Sequence, residues 1–211
     1  APSGLANCLS QFQKDGNTLI IDGGDTLQGS PLTYYLSHEV RDVTTLPAQL
    51  LNLGGYDFVT LGNHDFDYGK EVIERYLDSL HAVCLCANVE GIRGVQKTTV
   101  VTMENGLRVG LTGIITPFVT QFETPENMAG ITVTDAFAAA WQALSELRRK
   151  QGDLTICIYH GGFEADVKTG KILSQTGENQ GWRICRELGF DVLLAAHQHM
   201  EAENLQIGGT Y

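Results

Sequence analysis

The sequence predicts one mixed α/β domain, and three observations carry that expectation. Short β-branched runs alternate with amphipathic segments along the whole chain. Asn105-Gly106 joins two alternating segments in the manner of a tight hairpin, so at least one sheet holds an antiparallel pair. With 211 residues, the chain is long enough for one sizeable core and too short for two comfortable domains.

Taken in order, Leu5, Cys8, Leu9 and Phe12 recur at helical spacing, and Gly16 ends that helix. Residues 18–22 read as a buried strand running into Gly23-Gly24-Asp25. Pro47 starts a short helix that stops at Gly54-Gly55, ahead of a strand over residues 58–61. Val72, Ile73, Tyr76, Leu77 and Leu80 form the apolar face of another helix, followed by a strand over 83–87. The hairpin joins 98–103 to 107–113. Thr134 or Asp135 caps a long helix through Arg149, with Lys150 near its end and Gly152 beyond it. A strand over 154–159, a helix over 178–188, a strand over 190–196 and the start of one more at 205–207 complete the pattern. There is no internal repeat, low-complexity tract or linker.

Hydrophobic residues make up 43% and charged residues 18%, which fits a folded globular chain rather than a disordered one. No apolar run approaches the ~20 residues that a membrane span needs, and no charged-then-apolar leader opens the chain. The net charge of −11 argues against a nucleic-acid polymer as partner. It is compatible with a small anionic substrate where bound divalent cations reverse the local field. The cysteines (Cys8, Cys84, Cys86, Cys157, Cys185) are odd in number and irregularly spaced. They read as buried free thiols, which leans towards a reducing compartment.

Four polar clusters each follow an apolar strand, where α/β folds place their sites. They are Gly24-Asp25, Gly62-Asn63-His64-Asp65, His160-Gly161-Gly162 and His197-Gln198-His199. Singly, each reads as a turn or a hydrogen-bonded histidine. Together they gather four of the six histidines with an Asp and an Asn. Imidazole nitrogen with carboxylate and amide oxygen suits a borderline divalent ion such as Mn²⁺, Zn²⁺ or Fe²⁺. The set is unlike the all-oxygen cage of Ca²⁺. No Walker loop and no Gly-x-Ser-x-Gly elbow competes.

The stretches Ile21-Asp22-Gly23-Gly24-Asp25-Thr26-Leu27-Gln28-Gly29-Ser30, Gly62-Asn63-His64-Asp65-Phe66-Asp67-Tyr68-Gly69 and His197-Gln198-His199 stand in the order of the calcineurin-like metallophosphoesterase motifs, which they resemble. The Gln-Gly-Ser and Phe-Asp-x-Gly tails, with Gly4-Leu5-Ala6 and Glu178-Asn179, are similar to the 5′-nucleotidase and 2′,3′-cyclic-nucleotide 2′-phosphodiesterase branch. That resemblance implies a four-layer metallophosphatase-type sandwich, two mixed β-sheets flanked by helices. It also implies two divalent metal ions and hydrolysis of a nucleotide phosphoester by in-line attack of an activated water. By the resemblance, Asp25 bridges both metals; Asn63, His160 and His197 complete the second site; and His199 belongs to the first. His64 then faces the phosphate as a catalyst rather than a ligand, with Asp67 holding its ring and favouring the protonated form. Asp65 reads equally as a surface loop acid.

Three departures qualify the resemblance. The family's opening Asp-x-His is absent from these residues, which leaves the first metal site poorly held and points to truncation. Ala196 stands where the family has Gly, and its methyl is expected to press on His197. The branch's C-terminal nucleoside-binding domain is missing, so residues 1–211 are expected to be the catalytic domain alone. Tyr34, Tyr35 and Phe163 are read as core ahead of lining the cleft. Besides the nucleotide reading stand another substrate (general phosphodiesters or a sulfur carrier) and a metal-binding domain impaired in catalysis. The branch implies a secreted or periplasmic place, the cysteines a cytoplasmic one, and the sequence leaves both open.

Overall fold

The computed structural model describes residues 4–202 and 205–211, apart from the side chains of Leu5 and Ala6. Two four-stranded sheets stand face to face. The first runs β1 (Ile21–Asp22), β2 (Phe58–Val59), β3 (Val83–Leu85) and β5 (Val95–Gln96), every pair parallel. The second is ordered β10 (Val192–Ala195), β9 (Leu154–His160), β7 (Arg108–Ile115) and β6 (Thr98–Thr102). Its first two pairings are parallel, and β6 joins β7 antiparallel across the Asn105-Gly106 turn, as the sequence predicts. A small antiparallel pair, β4 (Val89–Glu90) with β8 (Thr132–Val133), sits apart.

Strand alternation sorts the core into layers. Phe58, Leu85, Val109, Leu111 and Ile158 meet between the two sheets. Their neighbours Val59, Cys84 and Cys86 point the other way, onto α3 (Thr45–Leu53) and α4 (Lys70–Ser79) through Ala48, Leu51, Ile73 and Tyr76. On the far side, Ile114, Cys157 and Tyr159 pack on α6 (Ala136–Arg149) and α7 (Gly181–Glu187). The result is the expected four-layer α/β/β/α sandwich, except that only one of its sheets is mixed as expected; the other is wholly parallel among the described residues. Parallel strands buried on both faces explain why these runs are apolar throughout. The sheets approach so closely that a Cβ on Gly113 would strike the Leu85 carbonyl and stand 2.7 Å from Thr60 Oγ1.

Several boundaries differ from expectation. The first helix is only α1 (Leu5–Leu9), and Phe12 lies beyond it, largely exposed. The strand expected over 18–22 shortens to β1, and 205–207 contribute only an isolated bridge, Ile207 with Thr210. Two further helices, α2 (Pro31–Tyr35), continued by a π-helical turn Leu36–Val40, and α5 (Val119–Phe122), carry no strong periodic signal. Tyr34 and Tyr35 are not core: α2 buries none of its residues, and Tyr34 stacks instead on His38, ring centroids 4.0 Å apart. Phe163 is half-buried. All five cysteines are free; Cys8 is exposed and the other four are buried. Among the described residues, no helix is long and apolar enough to cross a membrane.

Candidate active site

All four polar clusters fall at or just beyond the C-terminal ends of parallel strands, β1, β2, β9 and β10, so topology brings them to one edge of the sandwich. The loop after β1 is held from within by Asp22, whose Oδ1 accepts from Gly24 N (3.0 Å) and Thr26 Oγ1 (2.9 Å). Asp25 then takes φ 62°, a left-handed conformation that Asp tolerates better than most residues. Gly24 and Gly62 allow the β1 and β2 loops to touch. A Cβ on Gly24 would meet Gly62 N at 2.5 Å, and one on Gly62 would run into the Asp25 carboxylate.

Asp65 is the clamp between those loops. The sequence reads equally as a surface acid or a participant at this position; in the structure Asp65 is buried, at 1% exposure. Its Oδ1 accepts from Thr26 N (2.8 Å) and Leu27 N (2.9 Å), and its Oδ2 from Asp25 N (3.0 Å) and Gly62 N (2.8 Å). Burial raises this carboxyl to about 6, against the downward pull of backbone donors including Gly62 and Leu27. The four N–H groups account for why an acid is buried here at all.

Asp25 is the hub of the predicted set. Its Oδ1 accepts from His64 N (2.8 Å), and its Oδ2 lies 3.2 Å from His160 Nε2. Despite that distance His160 Nε2 makes no hydrogen bond, and neither does the buried Oδ1 of Asn63. The other ring nitrogen of His160 lies 2.6 Å from the Gly23 carbonyl. A carbonyl only accepts, so Nδ1 carries a proton, and in the neutral ring the lone pair is left on Nε2. Two buried lone-pair atoms left bare, one of them 3.2 Å from a carboxylate, are what a cation site requires and what a finished hydrogen-bond network avoids.

His197, at φ 75°, joins this group. Its ring sits edge-on to His160, with centroids 5.4 Å apart, and lies near-parallel to Phe122 at 6.3 Å. Its Nε2 is 3.0 Å from Glu178 Oε1. The methyl of Ala196 is accommodated because the facing residue is Gly23, where an added Cβ would come within 3.3 Å of it. His199, at φ 50°, is exposed, with no hydrogen bond or ion pair of its side chain among the described residues. Among the described residues, no three His, Cys, Asp or Glu side chains converge as a ready cage; Asn63 is the additional donor type.

His64 stands outside this group, half-exposed, with Nδ1 3.3 Å from Asp67 Oδ2. Asp67 has a second neighbour that sequence reasoning missed. Burial first, and then a hydrogen bond with Glu123, push its carboxyl up to about 6, while His64 pulls it down. Asn127 Nδ2 ties this corner together, donating to Asp67 O and Glu123 Oε2, both at 2.9 Å. No spacing in the sequence links 123 or 127 to 67. Glu178, by contrast, stands in the Glu178-Asn179 stretch of the sequence resemblance, and its contact with His197 appears only in the structure.

The sequence profile of the calcineurin-like phosphoesterase family matches residues 2–201. The chain is 27% identical to the "Trifunctional nucleotide phosphoesterase protein YfkN" of Bacillus subtilis, over 94% of its own length and 15% of that protein's. It is 25% identical to the 2′,3′-cyclic-nucleotide 2′-phosphodiesterase/3′-nucleotidase of Salmonella typhimurium, over 87% of this chain and 30% of the other. Among solved structures, a putative 5′-nucleotidase from Staphylococcus aureus superposes with a TM-score of 0.81 at 32% identity, covering 87% of this chain and 37% of that one. The chain therefore spans under a third of the length of these curated relatives.

Proposed function

We propose, because the chain belongs to the calcineurin-like phosphoesterase family, that it hydrolyses a nucleotide phosphoester, either a 5′-monoester or a 2′,3′-cyclic diester. Members of this family are hydrolases that use divalent metals. In this reading residues 1–211 are the catalytic unit, and nucleoside recognition falls to a separate C-terminal domain. The observation that carries the reading is the pair of bare buried atoms Asn63 Oδ1 and His160 Nε2: the second lies 3.2 Å from the Asp25 carboxylate, and the first belongs to the residue before His64, whose N–H donates to that carboxylate.

The donor set fits a Mn²⁺, Zn²⁺ or Fe²⁺ ion, with Asp25, Asn63, His160 and His197 as its holders. His199 with Asp25 remains a weaker holder of a second ion. Bound divalent cations supply neutralisation of phosphoryl charge and a water of lowered pKa. The chain's own residues do the rest. Asp65 fixes the backbone that presents Asp25 and Asn63. Asp67 accepts from His64 Nδ1, so the ring of protonated His64 keeps its second N–H, on Nε2, for the phosphoryl or leaving ribose oxygen. That proton neutralises the alkoxide as it departs opposite the nucleophile.

The test is hydrolysis of AMP, 2′,3′-cyclic AMP and bis-p-nitrophenyl phosphate with added Mn²⁺, by this chain and by the chain extended at both ends. His64→Asn is expected to lower turnover by about 10²–10⁴-fold with metal content unchanged. A collapse of metal content instead would show that His64 is a ligand. Cleavage of the aryl diester alone would favour a general phosphodiesterase. Metal binding without cleavage of any of the three by the extended protein overturns the reading in favour of a metal-binding domain.

A further inference from the structure

His160 and His197 face each other edge-on, yet their second partners differ in kind. The Gly23 carbonyl fixes one, and the Glu178 carboxylate fixes the other. A carboxylate accepts, so the proton of neutral His197 sits on Nε2 and the lone pair is left on Nδ1. In their neutral forms the two rings are thus held in opposite tautomers, with Nε2 bare on His160 and Nδ1 on His197. Neither assignment follows from the sequence motif, which names the histidines but not their nitrogens.

Glu178 is itself well anchored. Its carbonyl accepts from Thr116 Oγ1 at 2.7 Å, just past the end of β7, and from Tyr159 OH at 3.5 Å, from β9. Its amide donates to Thr176 Oγ1 at 3.3 Å. The next residue, Asn179, is buried and accepts from Gly162 N at 2.7 Å, which ties the segment to the loop that follows His160. The Glu178 side chain therefore reaches His197 from a base set by the second sheet. His197 stands past the end of β10 at φ 75°, with no backbone hydrogen bond of its own among the described residues.

We propose that Glu178 is a positioning residue: it holds His197 through Nε2–H so that Nδ1 is the metal-donating nitrogen. This rests on the reading of His197 as a metal donor. A carboxylate behind a ligating imidazole fixes the ring and raises its basicity, and losing such a partner weakens metal binding by about 10- to 100-fold. Glu178 touches neither substrate nor metal in this arrangement, and its effect is exerted through the histidine. The backbone anchors of residue 178 do not involve its side chain, so substitution leaves them in place.

The experiment is calorimetric titration of Mn²⁺ into the chain and its Glu178→Ala, Glu178→Gln, His197→Ala and Glu178→Ala/His197→Ala variants, with unfolding of each metal-free form measured in parallel. Glu178→Ala is expected to weaken Mn²⁺ binding by about 10- to 100-fold, His197→Ala to weaken it at least as much, and the double variant no further than His197→Ala. Glu178→Gln, which keeps an acceptor oxygen for Nε2–H, should recover most of the affinity. If Glu178→Ala fails to fold, the Gln variant decides, with an intact fold and binding closer to wild type than to His197→Ala supporting the proposal. If His197→Ala weakens binding and Glu178→Ala does not, the positioning role is overturned while the donor reading stands. If His197→Ala has no effect, or the unaltered chain binds no Mn²⁺, the donor reading fails and takes the proposal with it.

Discussion

Asp65 joins the two loops that carry Asp25 and Asn63. Four backbone N–H groups from two loops end on its carboxylate, and they belong to Asp25, Thr26, Leu27 and Gly62. Removing the acceptor leaves those donors buried without a partner, which costs far more than one exposed hydrogen bond. Asp65→Ala is therefore expected to lower stability by about 3 kcal/mol, read from urea unfolding, and to abolish metal binding in whatever folds. Asp65→Asn keeps one acceptor oxygen and should cost less; equal stability of the Ala variant and the parent would refute the clamp. At this scale the sequence shows which residue types carry chemistry, because Asn63, His64 and His160 stand in a recognisable order. It does not show that Asp65 is buried or that Glu123 meets Asp67, since both facts arise from loops packing across the fold.

Among the elements, the helices and strands with strong patterns form as expected. Asp135 caps α6, accepting from Ala138 N at 2.8 Å, and the Asn105-Gly106 hairpin pairs in register. Elements without periodicity were illegible: α2 buries nothing, and β4, β5 and β8 are two residues each, too short for alternation to register. One start signal was also missed. Ahead of α3, Asp42 accepts from the backbone and hydroxyls of Thr44 and Thr45, and these bonds, Thr45 hydroxyl first, hold its carboxyl down to about 2. A carboxyl depressed on folding stabilises the fold fully above its unfolded value, near 4. That contribution is lost as pH falls through about 2. Asp42→Ala should lower stability by about 1 kcal/mol at neutral pH, with a gap to the parent that narrows as urea unfolding is repeated from pH 4 downward. A pH-independent gap would assign the loss to packing instead.

For the whole molecule, the sandwich puts the chemistry where two sheets present the C-terminal ends of parallel strands side by side. The polar clusters after apolar strands made a shared edge inferable, and the two-sheet sandwich followed from the family resemblance, whereas the pairing order β1-β2-β3-β5 against β10-β9-β7-β6 is a property of long-range contacts that local sequence does not encode. The closeness of the sheets depends on Gly113, whose position leaves no room for a methyl against the Leu85 carbonyl. Gly113→Ala should therefore destabilise the fold by about 1–3 kcal/mol in thermal unfolding, despite a backbone that any residue could adopt; an unchanged midpoint would mean the sheets part without cost.

The central claim is that Asp25, Asn63, His160 and His197 form a metal site at that shared edge. An anomalous difference map from crystals soaked in Zn²⁺ tests it most directly. The account predicts a peak about 2.0–2.2 Å from Asn63 Oδ1, His160 Nε2 and an Asp25 carboxylate oxygen, with His197 approaching through Nδ1. A map with zinc bound elsewhere and none at those atoms would contradict it.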